Sequence, residues 1–175
     1  MSEAVAEAPR ASSAPLASPA TARLIAFLLP AALLAGAFGS QYLGGLFPCD
    51  MCWWQRYAHF AALVAAALAF TAPAETVRSR ALTLLAALAI AVSGGIGFYH
   101  AGVELKIFEG FTTCTSHAHG ATTADLFKAL ANAPLVRCDD VQWSFLGISM
   151  AGWNAIISLS GAAVIAVLTL RSGRR

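Results

Sequence analysis

Pro48-Cys49-Asp50-Met51-Cys52-Trp53-Trp54-Gln55-Arg56 concentrates the chemistry of this chain: a C-x-x-C pair, two adjacent tryptophans and a cation, with apolar sequence on both sides. A C-x-x-C in polar surroundings reads as a zinc ligand pair or a cytosolic redox motif. This one falls where an apolar run meets water-compatible sequence. The reading is therefore a redox pair held at a membrane surface, with the rest of the chain as its mount.

Composition supports the membrane setting. The 175 residues are 58% hydrophobic and 11% charged, and the mean hydropathy is +0.68. Soluble domains carry about 25% charged residues, so too few charges are present here to cover a water-facing surface. The length predicts one domain. A net charge of +2, with no basic cluster interleaved with aromatics, excludes a nucleic-acid binder. Four cysteines, Cys49, Cys52, Cys114 and Cys138, allow two disulfides in an oxidising compartment.

Working outward, residues 1–21 are rich in Ala, Ser and Pro and read as a disordered tail. An apolar run over 24–46 follows Arg23 and is long enough to span, Pro30 notwithstanding. A cleaved signal peptide with Ala35-Gly36-Ala37 as its site is the rival; the apolar run continues past that site. Further runs cover 53–70, 81–99 and 153–170. The third contains Ser93-Gly94-Gly95-x-Gly97, small residues that let membrane helices approach closely. The fourth carries Asn154, Ser158, Ser160 and Gly161, suited to interhelical hydrogen bonds and close packing. Between the last two runs, residues 100–147 are polar and form a long outer loop. In it Thr122-x-x-Asp125 opens a short amphipathic helix that Pro134 ends. The expected fold is an all-α membrane protein: a four-transmembrane-helix bundle over 22–170, with a cytoplasmic tail at 171–175.

Four spans put both termini on one side. Arg10, Arg23, Arg78, Arg80, Arg171, Arg174 and Arg175 share it, while Arg56, Lys106, Lys128 and Arg137 lie opposite. The positive-inside rule makes the arginine-rich side cytoplasmic. All four cysteines then face the exterior, a bacterial periplasm bounded by the inner membrane. Trp53, Trp54, Trp143 and Trp153 fall near the outer boundary as an aromatic belt.

With a helix starting near Asp50, Cys52 lies in its first turn, where free N–H groups and the helix dipole favour a thiolate. Arg56 follows on the same face, and His59 one turn later. Three readings of Arg56 stand: stabilising the Cys52 thiolate, hydrogen-bonding a carbonyl compound that accepts electrons, or snorkelling to lipid phosphate, the last slightly favoured. His59 reads as an interface histidine with its hydrogen bonds satisfied. Cys114 and Cys138 flank the amphipathic segment and read either as a static staple or as an exchangeable disulfide. A metal set of Cys114, His117, His119 and Cys138 has irregular spacing for structural zinc, and no metal is expected.

Pro48-Cys49-x-x-Cys52-x-x-Gln55-Arg56 and Cys138-Asp139-x-x-x-Trp143-x-Phe145-Leu146-Gly147-x-x-Met150 together resemble the disulfide bond formation protein B family of membrane thiol oxidases. Tyr99-His100-Ala101-Gly102-Val103-Glu104 looks like a variant found in some of its branches. The resemblance covers roughly 24–170. It implies a quinone-dependent enzyme that reoxidises a soluble periplasmic thioredoxin-fold thiol oxidase. By motif position Cys49 and Cys52 would be the quinone-proximal pair, Cys52 the thiolate facing the ring, and Arg56 and His100 its cofactor-binding neighbours. Cys114 and Cys138 would be the partner-facing pair. Ubiquinone or menaquinone would be the acceptor. A similar four-helix, C-x-x-C design in vitamin K epoxide reductases makes quinone or epoxide reduction the alternative activity, and a non-enzymatic metal-binding membrane protein a further one.

Overall fold

The computed structural model describes residues 18–110, 122–125 and 136–171. Four long helices form an up-and-down bundle: α1 (Pro19–Tyr42), α2 (Asp50–Ala69), α3 (Val77–Glu104) and α4 (Met150–Arg171). A two-strand hairpin, β1 (Ser144–Phe145) and β2 (Ile148–Ser149), leads directly into α4. Its turn is Leu146-Gly147, both at positive φ (53° and 77°). That is the left-handed pair a two-residue hairpin turn requires.

Local chemistry sets the helix starts. Ser18 caps α1 by accepting from Thr21 N, with Pro19 in the first turn, and Thr76 caps α3 by accepting from Ser79 N. Cys49 caps α2 with its own sulfur, which accepts from Cys52 N at 3.3 Å. Asp50 opens the helix and adds a negative charge to its first turn. The Thr122–Asp125 signal is realised as far as it is described: Thr122 Oγ1 accepts from Asp125 N at 3.1 Å. The remainder of the expected amphipathic helix, Pro134 included, lies outside the described residues, as do Cys114, His117, His119 and Lys128.

Three helices, α1, α3 and α4, are long and apolar enough to cross a membrane. At about 1.5 Å per residue, the 20 residues of α2 have sufficient length, but Asp50, Gln55, Arg56 and His59 make it less apolar. Together the elements form a helical membrane protein.

The interior is built from small side chains. Ala26, Ala62, Ala65, Ala66, Ala86, Ala87 and Ala162 meet around Ile90 and Ile165. Bulk points outward instead: Phe60, Leu68, Leu85, Leu88, Phe98 and Val164 are exposed, as a lipid-facing surface requires. The expected close approach occurs between α3 and α4. A Cβ on Gly97 would lie 2.9 Å from Ala151 O and 3.1 Å from Ala155 N, while one on Gly95 would meet nothing. Gly161 faces Leu29 of α1 in the same manner. Ser160, by contrast, bonds the carbonyls of its own helix at Ile156 and Ile157.

Arg23 ties the start of α1 to the end of α2. It donates to Ala69 O (3.2 Å) and Ala72 O (2.8 Å) and lies over the Phe70 ring. Arg78, Arg80 and Arg171 sit at that same end of the bundle, and the cysteines sit at the other.

Candidate functional site

The site is assembled at the cysteine end from the first turn of α2, the last turns of α3, the start of α4 and the loop around Cys138. Cys49 Sγ and Cys52 Sγ are 3.0 Å apart. Helical geometry accounts for this: an N-cap side chain folds back over the third residue of the helix it caps. Cys138 reaches the pair from the loop. It shares one buried cluster with Cys49, Met51, Val103 and Val136. The structure therefore brings together three of the four expected redox cysteines.

Below them runs a buried polar network linking α2, α3 and α4, and two backbone carbonyls fix its directions. Gln55 Nε2 donates to Met51 O at 3.1 Å, so its other N–H faces His100 Nδ1 at 3.1 Å. In its neutral form His100 then carries its proton on Nε2. That nitrogen faces Cys49 Sγ at 3.6 Å and Glu104 Oε1 at 3.9 Å. Asn154 Nδ2 donates to Gln55 Oε1 (2.8 Å) and Ser93 O (3.2 Å). Its Oδ1 accordingly accepts, from Ser158 Oγ (3.0 Å) and His59 Nε2 (3.0 Å). His100 lies on α3, which continues through Glu104, and is 3% exposed.

Arg56 does not snorkel. It is 6% exposed and turns inward. Its guanidinium donates to Gln41 Oε1 and to Ala37 O (3.1 Å), and lies 4.8 Å and 4.9 Å from the Phe38 and Trp53 ring centres. A carbonyl, an amide oxygen and two π faces from α1 and α2 replace the lipid phosphate. The charge also lies within electrostatic reach of Cys52. His59 is likewise only half as expected: Nε2 is satisfied, but Nδ1 is buried with no hydrogen-bond partner.

These groups line a cavity of about 520 Å³ that opens between α1, α2 and α4, walled by Leu33, Ala37, Cys52, Arg56, His59 and Asn154. The size is typical of small-molecule sites. Its wall is largely apolar, and the guanidinium of Arg56 supplies donors suited to an electron-accepting carbonyl.

A second arrangement holds the loop. Asp139 receives two hydrogen bonds from Arg137 (2.8 and 2.7 Å) and one from Lys106 Nζ (2.7 Å). The Arg137 guanidinium, then the Lys106 ammonium, hold its carboxyl well below the usual carboxylate range. Lys106 also donates to Asp139 O, and Gln142 to Phe47 O. The Cys138 segment is thus clamped to the end of α3 and to the segment before Cys49.

Among the described residues, Cys49, Cys52 and His100 bring three ligand-type atoms within 4.8 Å of one another. Thiol exchange needs the same crowding of sulfur and imidazole, and the bonds above already engage these groups. The alternative set Cys114, His117, His119 and Cys138 includes only Cys138 among the described residues.

Sequence reasoning missed the roles of Ser93, Gln55 and Asn154 as a connected network. A usable signal existed: Gln55 and His59, and Asn154 and Ser158, are spaced i, i+4 within apolar runs, so each pair marks one polar stripe on a helix face.

Known proteins bear on this arrangement. A family model for "Disulfide bond formation protein DsbB" matches residues 19–168. Relatives described as "Disulfide bond formation protein B" include one from Shewanella sp. (strain MR-4), 34% identical over 142 residues, covering 78% of each chain. One from Marinobacter nauticus is 30% identical over 140 residues, covering 75% of this chain and 80% of its own. A third, from Stutzerimonas stutzeri, is 28% identical over 159 residues, covering 89% of this chain and 96% of its own. No solved structure matches the chain. The matched span runs from the start of α1 into the last turn of α4 and includes every cysteine, and the chain belongs to the disulfide bond formation protein B (DsbB) family of membrane proteins.

Proposed function

We propose that this protein is a membrane thiol oxidase. It reoxidises a periplasmic thioredoxin-fold disulfide donor and passes the electrons through two cysteine pairs to a quinone, ubiquinone or menaquinone. The observation that carries the reading is the burial of loop Cys138 in one cluster with Cys49, itself 3.0 Å from Cys52 and lining the same cavity as Arg56. Two thiol stations and an acceptor site are then adjacent, as a relay requires.

The steps balance as successive thiol–disulfide exchanges. A thiolate of the reduced partner attacks the Cys114–Cys138 disulfide, and the partner's second thiol resolves the mixed disulfide, leaving the loop pair reduced. The Cys138 thiolate then attacks Cys49 Sγ. The Cys138–Cys49 bond forms, the Cys49–Cys52 bond breaks, and Cys52 departs as thiolate in the first turn of α2, near Arg56. Attack by Cys114 on Cys138 restores the loop disulfide and leaves Cys49 and Cys52 reduced. The bound quinone would supply the sink for two electrons and two protons as Cys49–Cys52 closes again.

Four features of the chain fit a quinone: the cavity volume, its apolar α1 wall, the Arg56 donors and the orphaned His59 Nδ1. Arg56 would hold a ring oxygen. Gln55 and Asn154 would keep the neighbouring rings in fixed tautomers. We read α2 as the fourth span, the arginine-bearing end as cytoplasmic and the cysteine end as periplasmic, in a bacterial inner membrane.

Trapping tests the relay. In a Cys52→Ser variant the freed Cys49 should be found disulfide-bonded to Cys138 on peptide mapping. Purified protein supplied with quinone should oxidise a reduced thioredoxin-fold dithiol catalytically. Absence of turnover with both disulfides intact and quinone bound would refute the proposal.

A further inference from the structure

His59 is a buried polar side chain that takes no part in the relay steps. It is 3% exposed and lines the cavity one helical turn below Arg56. Its tautomer is fixed by the chain of directions described above. The Ser93 carbonyl orients Asn154 Nδ2, so Asn154 Oδ1 must accept, and His59 Nε2 donates to it at 3.0 Å. Ser93 Oγ, 2.9 Å from the same nitrogen, donates to Gln55 O and so cannot also donate to His59. The neutral ring is left with a bare lone pair at Nδ1, buried and without a partner. A buried acceptor without a donor is costly, and His59 is one of the residues that line the cavity.

We propose that His59 Nδ1 accepts a hydrogen bond from a hydroxyl of the reduced acceptor, so that the cavity favours a hydroquinone over the corresponding quinone. The chemistry discriminates sharply. A quinone offers only carbonyl acceptors, which cannot satisfy a lone pair, whereas a hydroquinone offers two O–H donors. The cavity thus presents both complements within one turn of α2. Arg56 donates to an oxygen in either redox state, and His59 accepts only from the reduced one. Binding the product form more tightly makes the bound acceptor a stronger oxidant. The overall step remains dithiol plus quinone to disulfide plus hydroquinone, with two electrons and two protons moving together. The inference rests on the quinone reading above and extends it to a residue and a redox state.

The test is the dissociation constant of decylubiquinone and of its hydroquinone, measured anaerobically on wild-type protein and His59→Leu. A neutral hydrogen bond accounts for a factor of about two to ten in affinity. The variant should lose that factor for the hydroquinone and stay within about twofold for the quinone. A tenfold loss lowers the potential of the bound couple by about 30 mV. Equal losses for the two forms, or no loss for either, would overturn the role of His59 while leaving the quinone site intact. If the wild type binds neither form, the quinone reading falls and this inference with it. Should His59→Leu fail to fold, the ¹⁵N resonance of His59 Nδ1 in the wild type decides. It must move on addition of the hydroquinone and not of the quinone; the same response to both overturns the assignment.

Discussion

Gly97→Ala adds one methyl group where the backbones of α3 and α4 approach closely, and Gly95→Ala adds the same group two residues away. The Cβ at position 97 would lie 2.9 Å from Ala151 O, 3.0 Å from Asn154 Nδ2 and 3.1 Å from Ala155 N, while the Cβ at 95 would meet nothing within 4 Å. Comfortable separation for such atoms is about 3.5 Å, so α4 must retreat by about half an ångström at the level of Asn154. Two of the three obstructing atoms are helix backbone and cannot rotate away. Both glycines lie inside α3, so the helix-propensity gain of about 1 kcal/mol for Gly to Ala applies to each and cancels in the comparison. Overpacking costs about 1–3 kcal/mol, and that is the expected stability gap between the two variants, with Gly97→Ala the weaker. Retreat of α4 also stretches the bonds from Asn154 to Gln55 Oε1 (2.8 Å) and Ser93 O (3.2 Å). Gly97→Ala should therefore lose quinone-linked turnover as well, and Gly95→Ala should not. Unfolding in detergent, followed by helical signal at several denaturant concentrations, measures the gap. Equal stabilities for the two variants would refute the packing argument.

Gln55→Leu and Asn154→Leu each leave buried partners unsatisfied, at about 1–3 kcal/mol. Because the two residues share a bond, the double variant should fall short of the sum by about 0.5–3 kcal/mol; additive losses in a thermal-unfolding cycle would contradict the network. Asp139→Asn removes the negative charge and one of the two oxygens that accept from Arg137 and Lys106, and amide exchange at positions 136–140 should accelerate. In the wild type the Asp139 carboxyl is held below its ordinary range, so the clamp is complete above that range and is lost as pH falls through the depressed value. Protection should persist through mildly acidic pH and disappear only in strong acid, whereas loss near pH 5 would argue against the pairing. Arg56→Lys keeps the charge but not the planar fork or the stacking on Phe38 and Trp53. Decylubiquinone affinity should drop by about tenfold, as a titration of the purified protein would register; unchanged affinity would remove Arg56 from the site.

Sequence patterns were most informative where a signal is local. Pro48, Cys49 and Asp50 marked the start of α2 because capping is decided within four residues. The glycines of α3 marked a close approach because only small residues permit one. Which glycine is critical was not legible, since that depends on the face presented to α4. The inward turn of Arg56 was hidden because its partners, Ala37 and Gln41, belong to α1. The network was hidden for the same reason: Ser93 and Asn154 bond across 61 residues of sequence, and Gln55 and Asn154 across 99. A polar residue in an apolar run announces that a partner exists but not which one. The shared burial of Cys138 and Cys49 depends on the loop's course over the bundle, set by the bonds of Lys106 to Asp139 and of Gln142 to Phe47.

The alanine interior has a mechanical consequence. An alanine has no side-chain torsion to change, so a wall of Ala26, Ala62, Ala65, Ala66, Ala86 and Ala87 offers no gate that swings. A leucine- or methionine-rich interior yields by rotamer hopping, whereas this alanine core yields by the sliding of whole helices. α1 is the helix to do so, since it packs less extensively on its neighbours than α2, α3 and α4 pack through α3. Its hinge end is pinned by Arg23 to the carbonyls of Ala69 and Ala72, and its free end carries Ala37 and Gln41, the two residues that hold Arg56. A guest entering beside α1 therefore has to disturb the grip on the guanidinium on its way in, so admission and charge positioning are parts of one movement.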